Sequence, residues 1–405
     1  MTVNGRAPTL EDVARLAGVS RATASRAIIE PGKVSPQRKA AVEDAMQRLG
    51  YVPNAAARSL VTRRTMSIAV VVPEPERTVF GDPFFQSAIS GINSVLTQAD
   101  YQLVLLMGDP QGQTKRVREY LRSRLADGFV VVSHHGSDGV VESALSAGVP
   151  TVLVGRPFNP ALDVSHCDLD NLLGGRLAAR HLIEQGCSRI GIMTGPLDMV
   201  GARDRFEGWQ RELADQGRAG AGIWHGDFDR PSGVRVGQEI ARADTLPVDG
   251  LFVSSDLMAL GVLDSLTEKG IAVPGDLRLV GFDDISLAAY AKPRLTTVTN
   301  PGFDLAAGAA ELLLEQLRTG EQPEPRRQEL ARARASALDV PLHREALLDQ
   351  VIDVLTQDEL VDRVVLERAA DEEHAAAARP AVRARGWHRR GGDAGRAAVH
   401  GGHLA

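Results

Sequence analysis

The stretch Thr9–Ile28, TLEDVARLAGVSRATASRAI, decides how this chain is read. Leu10, Val13, Ala14 and Ala17 recur at helical spacing and give a short helix one apolar stripe. Thr9 stands where a helix cap belongs, and Asp12 three residues later answers it as a short capping box. Gly18 ends the helix without a Cβ penalty, so Ala17-Gly18-Val19 is a turn. Ser20 caps a second helix, whose exposed start carries Arg21, Ala22, Thr23, Ser25 and Arg26. Two helices joined this way form a helix-turn-helix, and the second is sized for the major groove of double-stranded DNA. There an arginine fork reads guanine, and a Ser or Thr hydroxyl holds phosphate.

Working outward, Ser35-Pro36 opens a third helix that runs through Ala40, Val42, Ala45 and Met46 to about Leu49, where Gly50 stops it. The string YVPNAAARSL, Tyr51 to Leu60, follows, with Asn54 as cap for a further short helix from Ala55 to Leu60. An isolated helix this short is marginal in water, so it is expected to order only against DNA and a second copy of itself. Charge divides the chain in the same place. Residues 1–64 hold eleven Lys and Arg against five Asp and Glu, a net +6, within a chain of net −6. A basic head on an acidic body suits a headpiece held against phosphates and a body repelled by them.

VARLAGVSRATASRAI followed by GYVPNAAARSL resembles the lac repressor/gal repressor (LacI/GalR) family of bacterial transcription regulators, from about Thr9 to about Ser336. The resemblance implies that residues 20–26 are the recognition helix. It also implies that Asn54, Ala57 and Leu60 belong to a hinge helix in the minor groove, with Leu60 as the wedge that kinks the central base step. The other reading of Leu60 is a packing leucine beneath the next domain. One departure is Ala24, where valine is common.

From Ser67 the pattern switches to apolar strands alternating with helical segments: SIAVVV (67–72), YQLVLL (101–106), GFVVVS, PTVLVG, RIGIMTG, GLFVSS and LRLVGF. Continuous Val/Ile/Leu strands between helices indicate parallel sheets covered on both faces. About ten strands exceed one compact sheet, so two α/β lobes with a cleft between them fit better. The resemblance implies the same: a two-lobed, periplasmic-binding-protein-like core. The expected domains are a helix-turn-helix headpiece at 1–53, a hinge helix and linker at 54–65, and a core at 66–340. Within the core the first lobe takes about 66–165 and 293–322, the second about 166–292 and 323–340, with crossings near His166, Pro293 and Pro323.

Ligands in such sheets sit at the carboxyl ends of strands. Those ends offer Phe84 and Phe85, Arg203 and Arg205 after RIGIMTG, Phe228 in HGDFDRPSG, Ser255 after GLFVSS, and Asp283-Asp284 after LRLVGF. Aromatic faces, an arginine fork and a carboxylate are what a sugar needs. By resemblance, Arg205 and Asp283 are the main polar effector contacts, Phe228 the stacking ring, and Phe84 and Phe85 the inter-lobe aromatics. Phe85 reads equally as core, Ser255 as the cap of the next helix, Asp284 as a structural pair, and Arg203 as a solvated ion-pair partner. Gly155 stands where some members carry an effector-binding acid, with Arg156 beside it as a substitute.

No G-x-S-x-G or Walker loop is present, and no nucleophile–base pair stands out, so an enzyme is the weaker reading. His134-His135 reads as a polar loop, and no metal or cofactor is expected. Cys167 and Cys187 are too few for a disulfide framework. With no secretory signal and no long apolar run, the expected location is the cytoplasm, without a membrane partner. Residues 341–405 form an extension. Leu347, Val351, Val354, Val361 and Val365 allow either an oligomerisation helix, which would make tetramers, or a solvated appendage. From Ala375 the Ala, Arg, Gly and His composition reads as disordered. The expected protein is a homodimeric regulator of near-palindromic operator DNA, most often a repressor in this family. A small-molecule effector controls it: a sugar or sugar derivative, or else a purine or nucleoside co-repressor.

Overall fold

A computed structural model describes residues 6–53, 64–109, 114–123, 125–136, 138–324, 326–328 and 333–334. The expected hinge helix, with Asn54, Ala57 and Leu60, and the extension 341–405 lie outside the described residues.

Three helices build the headpiece: α1 (Leu10–Leu16), α2 (Arg21–Ile29) and α3 (Pro36–Leu49). The capping box forms as expected. The Asp12 carboxylate accepts from the Thr9 amide at 3.0 Å and its hydroxyl at 2.7 Å, and Thr9 Oγ1 accepts from the Asp12 amide at 3.4 Å. These bonds, with Arg6 and Arg15 nearby, hold the Asp12 carboxyl below the ordinary aspartate range. Gly18 and Gly50 take the left-handed conformation (φ +65° and +61°) that ends α1 and α3. The buried core is Val13, Ala14, Ala24, Ala27, Val42 and Ala45. Four of these six are alanines, so the helices approach closely over a small area. Ala24 has no exposed surface, so the residue that departs from the family pattern is one of the packed methyls between helices.

The body contains two lobes. Strands β1 (Ser67–Val72), β2 (Gln102–Met107), β3 (Gly128–Val132), β4 (Thr151–Val154) and β5 (Ser165–Leu169) form the first sheet. Strands β6 (Ile190–Thr194), β7 (Gly222–His225), β8 (Gly250–Val253), β9 (Arg278–Asp283) and β10 (Thr296–Thr299) form the second. β11 (Arg326–Gln328) then returns to the first sheet and β12 (Ala333–Arg334) to the second. The orders are β11-β5-β4-β3-β1-β2 and β12-β10-β9-β8-β6-β7. Every pairing is parallel except β10 with β12. The inner strands β1, β3, β4, β6 and β8 are buried at every position, which is why they read as unbroken apolar runs.

The three crossings fall later than expected. His166 lies inside β5, and the chain leaves the first lobe after Leu169. Pro293 precedes β10, which still belongs to the second sheet, so the return comes at Asn300. Pro323 precedes β11, still in the first sheet, and the last crossing lies between Gln328 and Ala333. The cause is composition. β5 reads Ser-His-Cys-Asp-Leu and β10 Thr-Thr-Val-Thr, too polar to stand out as strands, yet both complete their ladders.

Where the chain enters the first lobe it is pinned by one carboxylate. Asp127 accepts from the Thr65 amide at 2.6 Å, the Thr65 hydroxyl at 2.8 Å and the Met66 amide at 3.0 Å. One apolar cluster then runs from Ile68 and Val70 in the first sheet through Ala178 and Leu182 to Ile190, Ile192 and Phe282 in the second. Burying each such Ile or Leu contributes about 1.5–3 kcal/mol, so the lobes share part of their hydrophobic stabilisation.

Candidate functional site

The helix expected to read DNA, α2, is capped by Ser20, whose Oγ accepts from the Thr23 amide at 3.1 Å. Ala24 and Ala27 point into the headpiece, so Arg21, Ala22 and Arg26 are left exposed, with Ser25 and Thr23 half-buried beside them. Arg21 Nε lies 3.9 Å from Glu11 with both side chains largely exposed, a pairing that leaves the guanidinium available to DNA. Thr23 also shares a hydroxyl contact of 2.8 Å with Ser20, so it is spent on the cap.

The second site is built around Arg205. Its helix, Val200–Asp215, follows β6 and crosses the helix Asn171–Glu184 at very short range. A Cβ on Gly175 would stand 2.1 Å from the Arg205 carbonyl oxygen, and one on Gly208 2.0 Å from that of Leu172. This crossing carries Arg205 inward. The residue is 7% exposed, with Nε donating to Asn171 Oδ1 at 2.8 Å and a terminal nitrogen to the Ser254 carbonyl at 2.6 Å. Its guanidinium carbon lies 3.6 Å from the Phe282 ring centre and 5.9 Å from that of Phe228, and a terminal nitrogen lies 3.8 Å from Asp283.

Asp283 ends β9 in a sharp reversal, with φ +113° there and +56° at Asp284. Asp256 holds that turn from below, accepting from the Ile285 amide at 3.0 Å and the Thr297 hydroxyl at 2.7 Å. Asn300 donates to Asp283 at 3.0 Å. Burial raises the Asp283 carboxyl above its ordinary range, and Arg205 opposes that shift. Ser254 Oγ and Asn300 Oδ1, beside this group, are buried without a hydrogen-bond partner among the described residues. Buried polar atoms left that way cost free energy unless something satisfies them.

The remaining candidates divide. Phe228 is half-buried at φ +58°, its ring packed on the backbone of Gly195. Phe84 is half-buried and meets Phe85 edge-on at 5.5 Å, whereas Phe85 is 4% exposed and belongs to the first-lobe core. Ser255 caps the helix Asp256–Glu268, accepting from the Met258 amide at 3.3 Å. Asp284 accepts from the Thr299 hydroxyl at 3.1 Å, a structural role. Arg203 is exposed, and its guanidinium carbon lies 4.9 Å over the Phe158 ring. Arg156, beside Gly155, pairs with two carboxylates. Its Nε donates to Asp168 at 2.6 Å and its other arm bonds Asp204 of the second lobe.

Sequence reasoning missed four polar groups here: Asp82, Asn171, Ser254 and Asn300. Asp82 caps the helix Pro83–Gln98 by accepting from the Phe84 amide at 2.9 Å. Burial, and then the Asp283 carboxylate, push its carboxyl up to about 7. Its signal was the Asp-Pro step that opens the helix, which reads as a cap and nothing more. It also missed that His135 joins the lobes, with Nε2 2.9 Å from Glu74 and Nδ1 3.0 Å from Asp198. The two carboxylates face opposite edges of the ring. No group of three His, Cys, Asp or Glu among the described residues is placed to hold a metal. Nor is any described helix long and apolar enough to cross a membrane.

Comparison with known proteins covers both sites. Residues 9–54 match bacterial regulatory proteins of the lacI family, and residues 179–336 match a periplasmic binding protein-like domain. The HTH-type transcriptional regulator CelR of Thermobifida fusca is 41% identical over 324 residues, 79% of this chain and 94% of that protein. The HTH-type transcriptional repressor CytR of Escherichia coli (strain K12) is 32% identical over 320 residues, 77% of this chain and 90% of its own. A solved structure of a CelR–cellobiose complex superposes with a TM-score of 0.63 at 37% identity, covering 82% of this chain and all (100%) of that one. A capped reading helix on a basic headpiece, two parallel-sheet lobes crossed three times and relatives matched nearly end to end lead to one conclusion: this chain is a DNA-binding transcriptional regulator and belongs to the lacI family of bacterial regulatory proteins.

Proposed function

We propose that this regulator binds a near-palindromic operator as a homodimer and that an uncharged sugar in the inter-lobe cleft controls its affinity, with no catalytic step of its own. It acts in the cytoplasm. The observation that carries the effector reading is Arg205, buried yet bonded to Asn171, the Ser254 carbonyl and the Asp283 pair rather than to solvent. Those two hydrogen bonds use Nε and one terminal nitrogen of a guanidinium that carries five N–H donors, which leaves donors for a polar ligand. Unpartnered Ser254 Oγ and Asn300 Oδ1 add hydroxyl-matching capacity, and Phe228 offers a ring face. A charged phosphate would meet Asp82, Asp283 and Asp256, so the group favours hydroxyls over anions. The cellobiose bound by the similar CelR supports the sugar class.

The effector biases DNA binding only by preferring one arrangement of the lobes. Through the hinge, Leu60 would act as the wedge at the operator centre, and Leu60→Ala should bind with a smaller bend in a gel-mobility assay. Calorimetry of the full chain against cellobiose, other saccharides, sugar phosphates, nucleosides and purines tests the effector. A neutral saccharide should bind, and Arg205→Ala or Asp283→Asn should each lose about 1–3 kcal/mol of affinity or more while still binding operator. Binding of a purine or nucleoside alone would overturn the sugar class. Near-wild-type affinity in both variants would move the site elsewhere.

A further inference from the structure

Two ionic bridges join the lobes at the cleft. Arg156, after β4, reaches Asp168 in its own lobe and Asp204 in the other. His135, after β3, stands between Glu74 of its own lobe and Asp198, in the loop after β6. The Gly136 amide donates to the Asp198 carbonyl at 2.9 Å, so the same short segment grips the second lobe twice. An arginine stays charged at any working pH, but a histidine does not.

The ring geometry sets a condition on His135. Each of its nitrogens faces a carboxylate, Nε2 with Glu74 at 2.9 Å and Nδ1 with Asp198 at 3.0 Å. A neutral imidazole has one N–H and one lone pair, so it would turn a lone pair toward one of the two carboxylates. Only the imidazolium donates to both. We propose that His135 is an inter-lobe latch whose proton holds the cleft closed, so that lobe closure, and with it the effector response, depends on pH.

The charged surroundings agree. Glu74 also accepts from Ser133 Oγ at 3.0 Å, which fixes it toward the ring. On the ring's own turn, Asp138 accepts the His135 amide at 2.8 Å. His134 is buried, its Nε2 at the Arg156 carbonyl (2.9 Å), and burial lowers its pKa, so it adds little opposing charge. Asp82 senses Glu74 from the neighbouring helix cap. The bond with Glu74 leads in raising the His135 pKa to about 9, against burial, with Asp198 adding to it. Glu74 stays beside the ring when the lobes part, whereas Asp198 leaves, so the open form has the lower pKa. Closing therefore takes up a proton. The latch is fully formed below the open-form pKa and fades as pH rises through about 9.

This latch would regulate the effector cleft proposed above, but it can be tested without any effector. Spin labels at Ser123→Cys in the first lobe and Lys269→Cys in the second occupy exposed positions, and the native Cys167 and Cys187 are buried. Pulsed electron spin resonance on the effector-free full chain would then read the distance between lobes from pH 7 to 10. With labelled chains diluted among unlabelled ones so that only intra-protomer pairs are read, we expect a short distance at pH 7 that lengthens or broadens with a midpoint near 9. His135→Gln donates to one carboxylate only and should show the open distribution at every pH. His135→Arg, a permanent cation with two donors, should stay closed at pH 10. An unchanged distance across the pH range in the parent, or a titration that survives in His135→Gln, would overturn the latch. A working latch in a chain that binds no saccharide would instead remove the sugar effector alone.

Discussion

The reading helix and the cleft are built on opposite plans. Ser20, Arg21, Ala22 and Arg26 lie within two helical turns, and a cap three residues long orients them. The cleft draws Asp82, Asn171, Arg205, Ser254, Asp283 and Asn300 from six separate segments. A local site inherits its geometry from secondary structure and tolerates a loosely held neighbourhood. An assembled site inherits its geometry from packing, so small core changes far along the chain reach it.

That difference can be broken most sharply at Gly175. A methyl there would stand 2.1 Å from the Arg205 carbonyl, a backbone atom that cannot swing away. Gly175→Ala should destabilise the body by about 1–3 kcal/mol or more and weaken effector binding, while operator reading by the headpiece survives. Denaturant unfolding followed by tryptophan fluorescence checks it, since Trp209, Trp224 and Trp387 all lie outside the headpiece. Equal loss of operator binding would mean the two plans are not separable.

The local plan is sharpened at Arg26. Arg26→Ala should cost about 1–3 kcal/mol on operator DNA and much less on random DNA, by fluorescence anisotropy at fixed salt. Equal losses on both would make it a phosphate contact. A smaller effect belongs to the cap of α1. Thr9→Ala should destabilise the headpiece by about 1 kcal/mol, read from its thermal midpoint. Asp12, whose carboxyl sits below its ordinary range, adds a pH signature. Its contribution is present above the unfolded aspartate pKa and lost as pH falls through the lower folded one, so acid sensitivity should diminish in Thr9→Ala. The smallest effect is expected from truncation after Val340, which should leave oligomeric state and operator binding unchanged. Light scattering that shows a tetramer becoming a dimer would make residues 345–370 an assembly helix instead.

The same contrast explains what could be read in advance. α1, α2 and the ends at Gly18 and Gly50 were legible because capping and period-3.6 stripes are written in adjacent residues. The apolar strands β1, β3 and β8 were legible for a similar reason: burial on both faces leaves no polar position. Arg205 and Asp283 stood out as charges beside apolar runs. Asn171 and Asn300 did not, because an asparagine next to a helix start or a proline reads as a cap or a turn. His135 is joined to Asp198 across 63 residues, and nothing near either one announces the other. Arg156 misled for a related reason. Its partner Asp204 lies in the opposite lobe, so the fork looked free when it was bridging.

The three crossings, after Leu169, at Asn300 and between Gln328 and Ala333, have a mechanical consequence. A single strap would let one lobe swivel in any direction about the other. Three straps at separate points remove twist and sideways slip and leave bending as the soft degree of freedom. Neither lobe is a contiguous stretch of chain, since β11 returns to the first sheet and β12 to the second. A protease cutting one strap should leave the body in one piece with a looser bend.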